Sequence, residues 1–326
     1  MLKLPSLGAL KNIRLLRAAQ RIPGWCCINL MPDRVDVCHV QTKSGALPEV
    51  LLCDSYRKEG DDKATLSRLR RELDLDSYRC TTLLRGGDYQ IVQVETPTNV
   101  PEQEAKSAVR WRIKDTIDYP VEAATVEAVF IPAADGAAGR APHMLAVAAK
   151  NDAIAAHAKP FNDADIRLEV IDIPEFAQRN LAQRLELEGR GLALLAFDER
   201  GGLLTFTCWG ELYQSRRIEI SLKSFDGADP EQRKGLYDRL VLELQRALDH
   251  FDRQFRHVTV AKVMVTPVPD ADHLREHLAA NLDVPVALIH LSEIVDFPHI
   301  PELHEDLRQA QCLQMIGAAM REEAVA

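Results

Sequence analysis

Two short patterns in the chain combine residue types that can do metal or nucleophile chemistry. His273-Leu-Arg-Glu-His277 sets two histidines one helical turn apart beside a glutamate, the HxxEH order in which imidazoles bind Zn²⁺ and the carboxylate acts as base. Only 49 residues follow His277, and the motif falls on a short helix between two apolar runs. Five-residue patterns recur by chance, so a solvated helix face is the better reading. Cys38-His39 offers a thiol next to a base, yet neighbouring strand residues point to opposite faces, which leaves Cys38 as a core residue. No P-loop, GxGxxG or GxSxG pattern occurs. The seven cysteines lie mostly in apolar runs (Cys26, Cys27, Cys38, Cys53, Cys208), without CxxC spacing or a secretory signal peptide. That fits reduced, buried thiols in a cytosolic compartment.

A third pattern is a turn, Asp198-Glu-Arg-Gly-Gly202, inside the stretch Gly191 to Ile220 around which the chain is organised. Asp bonds its own backbone and Gly accepts unusual φ, so the run Leu192–Phe197 must reverse there into Leu203–Trp209. Gly210-Glu211 is short enough for a second hairpin, into Leu212–Ile220. A long helix follows, with Asp229 as cap, Pro230 in its first turn, and Leu236, Leu240, Leu244, Leu248, Phe251 and Phe255 along one face. Val258–Val265 is then a fourth strand.

The same plan occurs earlier. Trp25–Leu30, the turn Met31-Pro-Asp-Arg34, Val35–Gln41 and Glu49–Tyr56 form a meander, followed by a helix bearing Leu66, Leu69 and Leu73, then strands at Arg79–Leu84 and Gln90–Val94. A duplicated βββαβ unit implies two lobes facing a cleft. Between the repeats, a helix from Pro101-Glu102 to about Ile117, strands Thr125–Ile131 and Met144–Ala149, a helix from Asn151 and a strand Ile166–Ile171 read as an inserted αββαβ subdomain. The expected boundaries are therefore 1–24 for a basic N-terminal segment, 25–98 for the first lobe, 99–172 for the insertion, 173–190 for a return helix, 191–300 for the second lobe and 301–326 for a closing helix. The closing helix carries Leu303, Leu307, Ala310, Leu313, Ile316 and Met320 on one side.

Composition narrows the function class. A net charge of −9 and pI near 5.6 argue against nucleic acid as a partner, because phosphate neutralisation needs a basic surface. Residues 1–24 run the other way, with Lys3, Lys11, Arg14, Arg17 and Arg21 and no acid. Lys11, Arg14, Arg17 and Arg21 share one helical face, which suits either weak attraction to an anionic membrane surface or a simple tail. No run approaches the length of a transmembrane helix. Trp111, on the inserted helix, is either an interface anchor or core, and the pairs Arg70-Arg71 and Arg216-Arg217 read as solvated surface.

With these segments placed, the chain resembles the PilM family of type IV pilus assembly, and within it the MshI branch of MSHA-type pilus biogenesis. The stretches that carry the resemblance are TPTNVPEQEAKSAVRWRIKDTIDYPVEAATVEAVFIP, VIDIPEFAQRNLAQ and LLAFDERGGLLTFTCWGELYQSRRIEI. The resemblance implies an α/β, actin-like (ribonuclease H-like) two-lobed ATPase fold of FtsA/PilM type. It implies a scaffold, cytoplasmic and peripheral to the bacterial inner membrane, that binds the N-terminal tail of a PilN-like inner-membrane protein beside the insertion and works with pilus motor and platform proteins. Homodimerisation is compatible with it. An ATP-binding switch of the same fold is the rival reading. A relative of the type II secretion cytoplasmic domain is another, although such domains continue into a transmembrane helix.

The resemblance also implies positions for a nucleotide site, and this chain departs from them. Where the family's first loop reads IDIGSSSVK, here stands Ile28-Asn29-Leu30-Met31-Pro32-Asp33-Arg34-Val35-Asp36, with Asn29 for the carboxylate, Met31 for glycine and a proline lacking N–H. The second loop keeps Asp198, Gly201 and Gly202, either to wrap an anion or simply to turn the chain. Thr266-Pro267-Val268-Pro269 stands where an adenine-binding Gly-Gly turn is expected. Asn29, Asp33, Asp198, Gly201 and Gly202 are thus expected as a vestigial nucleotide site with no required cofactor, ATP and Mg²⁺ being the only candidates.

Overall fold

The computed structural model describes residues 21–97, 102–132, 143–227 and 229–322, with the side chains of Glu102, Gln103 and Lys106 set aside. The basic stretch 1–20 and the loop 133–142 lie outside the described residues. Arg21, expected among the membrane-facing charges, is described and pairs with Glu169 at 2.5 Å.

The first lobe begins with an antiparallel meander, β1 (Trp25–Leu30), β2 (Arg34–Gln41) and β3 (Glu49–Arg57), in which Cys27 opposes Cys38 and Cys38 opposes Cys53. Two parallel strands, β4 (Arg79–Leu83) and β8 (Leu168–Asp172), complete the sheet order β3-β2-β1-β4-β8. Helices α1 (Asp62–Glu72) and α3 (Asn151–Asp163) cover its outer face over Ile28, Val35, Val37, Leu66, Leu69 and Phe161. The Asp61 side chain caps α1 by accepting from the Ala64 N–H.

The second lobe repeats this connectivity. β9 (Gly191–Phe197), β10 (Gly202–Cys208) and β11 (Glu211–Ile218) form the meander, and β12 (Val260–Val265) and β13 (Val286–Leu288) the parallel pair, in the order β11-β10-β9-β12-β13. Helices α5 (Pro230–Gln254) and α6 (Ala271–Asn281) cover it. Asp229 and Gln232 make the reciprocal cap at the start of α5, with Pro230 behind it. Leu240, Leu244 and Phe251 of its expected face are buried, Phe251 stacking on Phe206 at 4.5 Å.

The actin-like fold holds, but two boundaries move. Gln90–Val94, expected in the first lobe, is β5 (Tyr89–Glu95) and pairs antiparallel with β7 (His143–Lys150), which also pairs with β6 (Ala124–Ile131). Conversely, the helix from Asn151 and the strand Ile166–Ile171, expected in the insertion, are α3 and β8 of the first lobe, β8 lying parallel beside β4. The insertion is therefore βαββ, with α2 (Glu102–Arg112) across a three-stranded sheet, instead of αββαβ. Strand pairing is a choice between equally apolar runs, and sequence order does not disclose it.

Two helices lie between the lobes. α4 (Pro174–Ala182) faces the second sheet, where Gln178 Nε2 donates to the Leu203 carbonyl at 3.0 Å and to Thr205 Oγ1 at 3.0 Å. α7 (Asp306–Ala319) lies on the first sheet and is buried nearly all round from Ala310 to Ala319, so it is a wedge between lobes and not a helix with one apolar side. Leu307, expected to face inward, is 47% exposed. At the crossing, a Cβ on Gly317 would stand 2.1 Å from the Ala177 carbonyl oxygen, and Asn180 Nδ2 donates to the Gly317 carbonyl at 2.9 Å. Only glycine permits that approach.

Candidate functional site

The strands β1 and β9 each run into the cleft and turn back, which brings the turns at Met31–Asp33 and Asp198–Gly201 face to face. Arg34, the first residue of β2, occupies the space between them. Its Nε lies 3.0 Å from Asp36 Oδ1 and its Nη2 lies 2.8 Å from Glu199 Oε1 on the opposite turn. Burial works against the Arg34 charge, but the hydrogen bond to Glu199 and the charge of Asp36 outweigh it and raise its pKa. Gln311, Gln314 and Met315 of α7 close the third side, leaving a gap of about 30 Å³. That is room for a water or two, against roughly 300 Å³ or more for a small-molecule site.

Asn29 and Asp198 both line this gap. Asp198 is turned back on its own loop, where Oδ1 accepts from the Arg200 N–H at 2.7 Å and the Gly201 N–H at 3.0 Å. The Arg200 and Gly201 N–H groups are therefore already paired within the loop. Asn29 Nδ2 is directed at Met31 Sδ, 3.6 Å away. Asp33 stands at the outer tip of its turn, its side chain 77% exposed, outside the gap lining. Gly201 and Gly202 do not line the gap either: a Cβ on Gly201 would meet the Ile218 carbonyl oxygen at 2.9 Å, and one on Gly202 would meet the Phe197 ring at 3.2 Å. Their glycines let β11 and Phe197 pack closely. Thr266, at the expected adenine position, extends the sheet instead, its N–H donating to the Leu195 carbonyl at 2.9 Å while its Oγ1 accepts from the Phe197 N–H at 3.2 Å.

The other sequence patterns separate. His273 bonds Asp270 through Nδ1, whereas His277 Nε2 meets Asp238 Oδ1 at 2.9 Å. Among the described residues no group of three or more His, Cys, Asp or Glu is placed to hold a metal ion. Cys38 lies in the core between the lobes, while His39 on the other face has Nε2 2.9 Å from the Pro23 carbonyl and its ring edge-on to Tyr78. Trp111 is 58% exposed and belongs to no core. Arg217 is not simply solvated surface. It donates to Glu175 Oε1 at 2.9 Å and to the Tyr89 hydroxyl, which itself donates to Glu175. Burial, then the charge of Glu175, pushes the Tyr89 phenol up. This network ties the inserted sheet, the start of α4 and the second lobe together.

A second concavity lies beside the insertion and has a volume of about 260 Å³. Val129 of β6 forms one wall, and Phe176, Arg179, Asn180 and Gln183 on one face of α4 and its C-terminal turn form the other. Asp172 at the end of β8, 5% exposed, sits at its base with Arg321 as ion-pair partner. Burial raises the Asp172 pKa, opposed by the Arg321 charge and the Ile173 N–H. The Arg321 guanidinium also lies 5.5 Å from the centre of the Trp25 ring. Arg179 Nη1 reaches Glu211 Oε2 at 3.0 Å. The groove thus presents fixed charges and helix-face donors at an opening between three units, a form suited to an extended peptide.

Arg34, Glu199, Asp172, Arg179 and Arg321 escaped the sequence reading. One signal was available, a carboxylate, Asp36, between two valines of a strand, since a charge buried there requires a partner.

Comparison with solved structures aligns the chain with one described as a PilM-PilN type IV pilus biogenesis complex, at 18% identity and a TM-score of 0.68, over 91% of this chain and 99% of that one. Two more distant structures are the cytoplasmic domain of EpsL, an inner membrane component of the type II secretion system of Vibrio cholerae (13% identity, TM-score 0.48, 92% and 96% covered), and a Bacteroides thetaiotaomicron protein with actin-like ATPase fold and unknown function (11%, 0.47, 92% and 96%). No protein-family model matches the sequence, and no curated protein matches it. The chain has the actin-like fold, in two lobes of equal topology.

Proposed function

We propose that this chain is a non-catalytic, actin-fold scaffold of type IV pilus biogenesis, of the MSHA type, that works at the cytoplasmic face of the inner membrane and holds the N-terminal tail of a PilN-like membrane protein in the groove along α4. The observation that carries the reading is the closed cleft. Arg34 fills the place between the two turns, Asp198 satisfies its own loop, and about 30 Å³ remains. With the cleft clasped by its own side chains, the groove along α4 is the recess beside the insertion that offers charged and apolar walls to a peptide.

In that groove Arg179 and Arg321 are the donors for peptide carbonyls, Asp172 is the acceptor at the base, and Val129 with the Phe176 ring supplies the apolar walls. Because α4 also bonds the second sheet through Gln178 and α7 through Asn180, a tail held there is attached to the whole two-lobed body. Likeness of fold to a chain of a PilM-PilN complex supports the choice of partner. The basic segment 1–24 supplies a weak membrane attraction, worth at most about 1 kcal/mol per basic side chain.

Titration calorimetry tests both parts. A synthetic PilN-like tail peptide is expected to bind the purified chain and to bind Arg179→Glu at least tenfold more weakly, while Mg-ATP gives no saturable heat. Tight Mg-ATP binding overturns the non-catalytic reading in favour of a nucleotide switch. Absence of peptide binding overturns the scaffold reading.

A further inference from the structure

We propose that a recess at the outer end of the second lobe seats the basic segment, residues 1–20, of a second copy of this chain. Neither the cleft nor the groove along α4 takes part. The recess, of about 260 Å³, opens where the C-terminal turns of α5 and the end of α6 meet the residues leading into β12 and β13. Because β12 is parallel to β9, and β9 runs into the cleft, the starts of β12 and β13 face away from it.

The recess is apolar inside and acidic at its edge. Leu248, Leu282 and Val284 are half-buried against the core of the second lobe, so part of each aliphatic surface stays open. Asp249, Asp252 and Asp283 are exposed beside them, and no Lys, Arg or His lines the space. Asp249 has an exposed partner in Arg253 at 3.7 Å, while Asp252 and Asp283 have no ion-pair partner among the described residues. Unpaired carboxylates beside open aliphatic surface suit a cationic amphipathic helix, whose apolar side lies in the recess and whose charges meet the edge.

This chain carries such a segment. Residues 1–20, outside the described residues, hold Lys3, Lys11, Arg14 and Arg17 and no acid, and Leu10, Ile13 and Leu16 each stand one position before a basic residue. A helix formed on docking sets those three apolar residues on one side with Lys11, Arg14 and Arg17 along its flank. The copy that owns the segment cannot seat it whole. The Ile22 N–H donates to the Ser77 carbonyl at 2.8 Å and Arg21 pairs with Glu169 of β8, so the segment leaves from the first sheet. Between that sheet and the recess stand the layer of α4 and α7 and then the second sheet, about 20 Å in all at about 10 Å per packed layer. Arg17, four positions before Arg21, reaches at most about 14 Å from it. A neighbouring copy has no such limit, and a segment seated there is withdrawn from any membrane.

Analytical ultracentrifugation of the full chain tests this. At low salt the apparent mass is expected to rise with concentration, and added salt should reverse the rise by screening the charges. Two full-length variants, Lys11→Gln/Arg14→Gln/Arg17→Gln and Asp252→Lys/Asp283→Lys, should melt like the unaltered chain and each associate at least tenfold more weakly by itself. Mixed, the first supplies an intact recess and the second an intact segment, so a one-to-one pair should form. An unaltered chain that stays monomeric at every concentration, or association undiminished in either variant, overturns the proposal. If a labelled peptide of residues 1–20 binds the unaltered chain tenfold more tightly than the Asp252→Lys/Asp283→Lys variant while the mixture yields no pair, the recess takes the segment of its own chain and the assignment to a second copy falls. Equal binding of that peptide to both overturns the recess itself.

Discussion

Arg34 Nη2 and Glu199 Oε1 stand 2.8 Å apart, although 165 positions separate them in the chain. The pair joins the first turn of one lobe to the first turn of the other. Its side chains are 23% and 28% exposed, so the pair is neither fully screened nor fully desolvated. Asp36 holds the same guanidinium from behind, 3.0 Å from Nε, which fixes the direction in which it reaches.

Replacing Glu199 by Gln removes the cross-lobe charge and leaves Arg34 on Asp36. A loss of about 1–2 kcal/mol in urea unfolding is expected, between the values for surface and buried pairs. Amides of the two facing turns should exchange faster. If the chain is the non-catalytic scaffold proposed above, a fluorescent ATP analogue is expected to bind neither the unaltered chain nor this variant, because Asp198 still occupies its own loop. Nucleotide binding gained by this single change would mean that the clasp alone had closed the cleft.

Gly317 and Gly235 make a paired test of the interlobe crossing. Gly317→Ala drives a Cβ to within 2.1 Å of the Ala177 carbonyl, so α4 and α7 must separate, at a cost of more than about 3 kcal/mol. Gly235 lies within α5 with nothing inside 4 Å of an added Cβ, and Gly235→Ala should gain roughly 0.5–1 kcal/mol. Thermal melts of the two variants should move in opposite directions.

Tyr89→Phe leaves the Glu175–Arg217 pair and removes the hydroxyl between them. The expected cost is about 1.5–3 kcal/mol, that of a hydrogen bond to a charged group. Hydrogen exchange should rise in β5 and β7 well before it rises in β9 or β10, since Tyr89 is the inserted sheet's link to the network and the Glu175–Arg217 pair still holds the second lobe. Uniform loosening would place the network in the general core.

Two histidines should titrate in opposite directions by NMR. The hydrogen bond to Asp270, then its charge, raises the pKa of exposed His273, so that contribution is present below the ordinary histidine value and lost as pH rises through the raised one. Asp270→Asn should return His273 to the usual range. Burial lowers the pKa of His39 despite its bond to Pro23, so its contribution is present above the ordinary value and lost as pH falls toward the lowered one. A His39 resonance titrating above the ordinary value would contradict its burial.

Legibility followed the range of the interactions. The meanders were readable because Asp198-Glu-Arg-Gly-Gly202 and Met31-Pro-Asp-Arg34 are local turn chemistry, and α5 because Asp229, Pro230 and the leucine spacing are local as well. The fate of Gln90–Val94 and Ile166–Ile171 was not readable, because either run could pair with several strands. The site divided in the same way: loss of the first loop's donors was visible in Met31 and Pro32, whereas the partners of Asp198, Gly201 and Arg34 were not. Asp33 was named for its place in the loop, and its exposure at the tip depends on how the hairpin tilts.

The order of residues alone determined two βββαβ units, their turns, the Asp229 cap of α5 and a first loop poor in phosphate donors, since each follows from contacts within a few positions. Tertiary structure decided which strands complete each sheet, that α7 wedges between the lobes, and that Arg34 bridges the cleft to Glu199. Those depend on groups that meet only when distant segments pack, and an ion pair across 165 positions has no local trace.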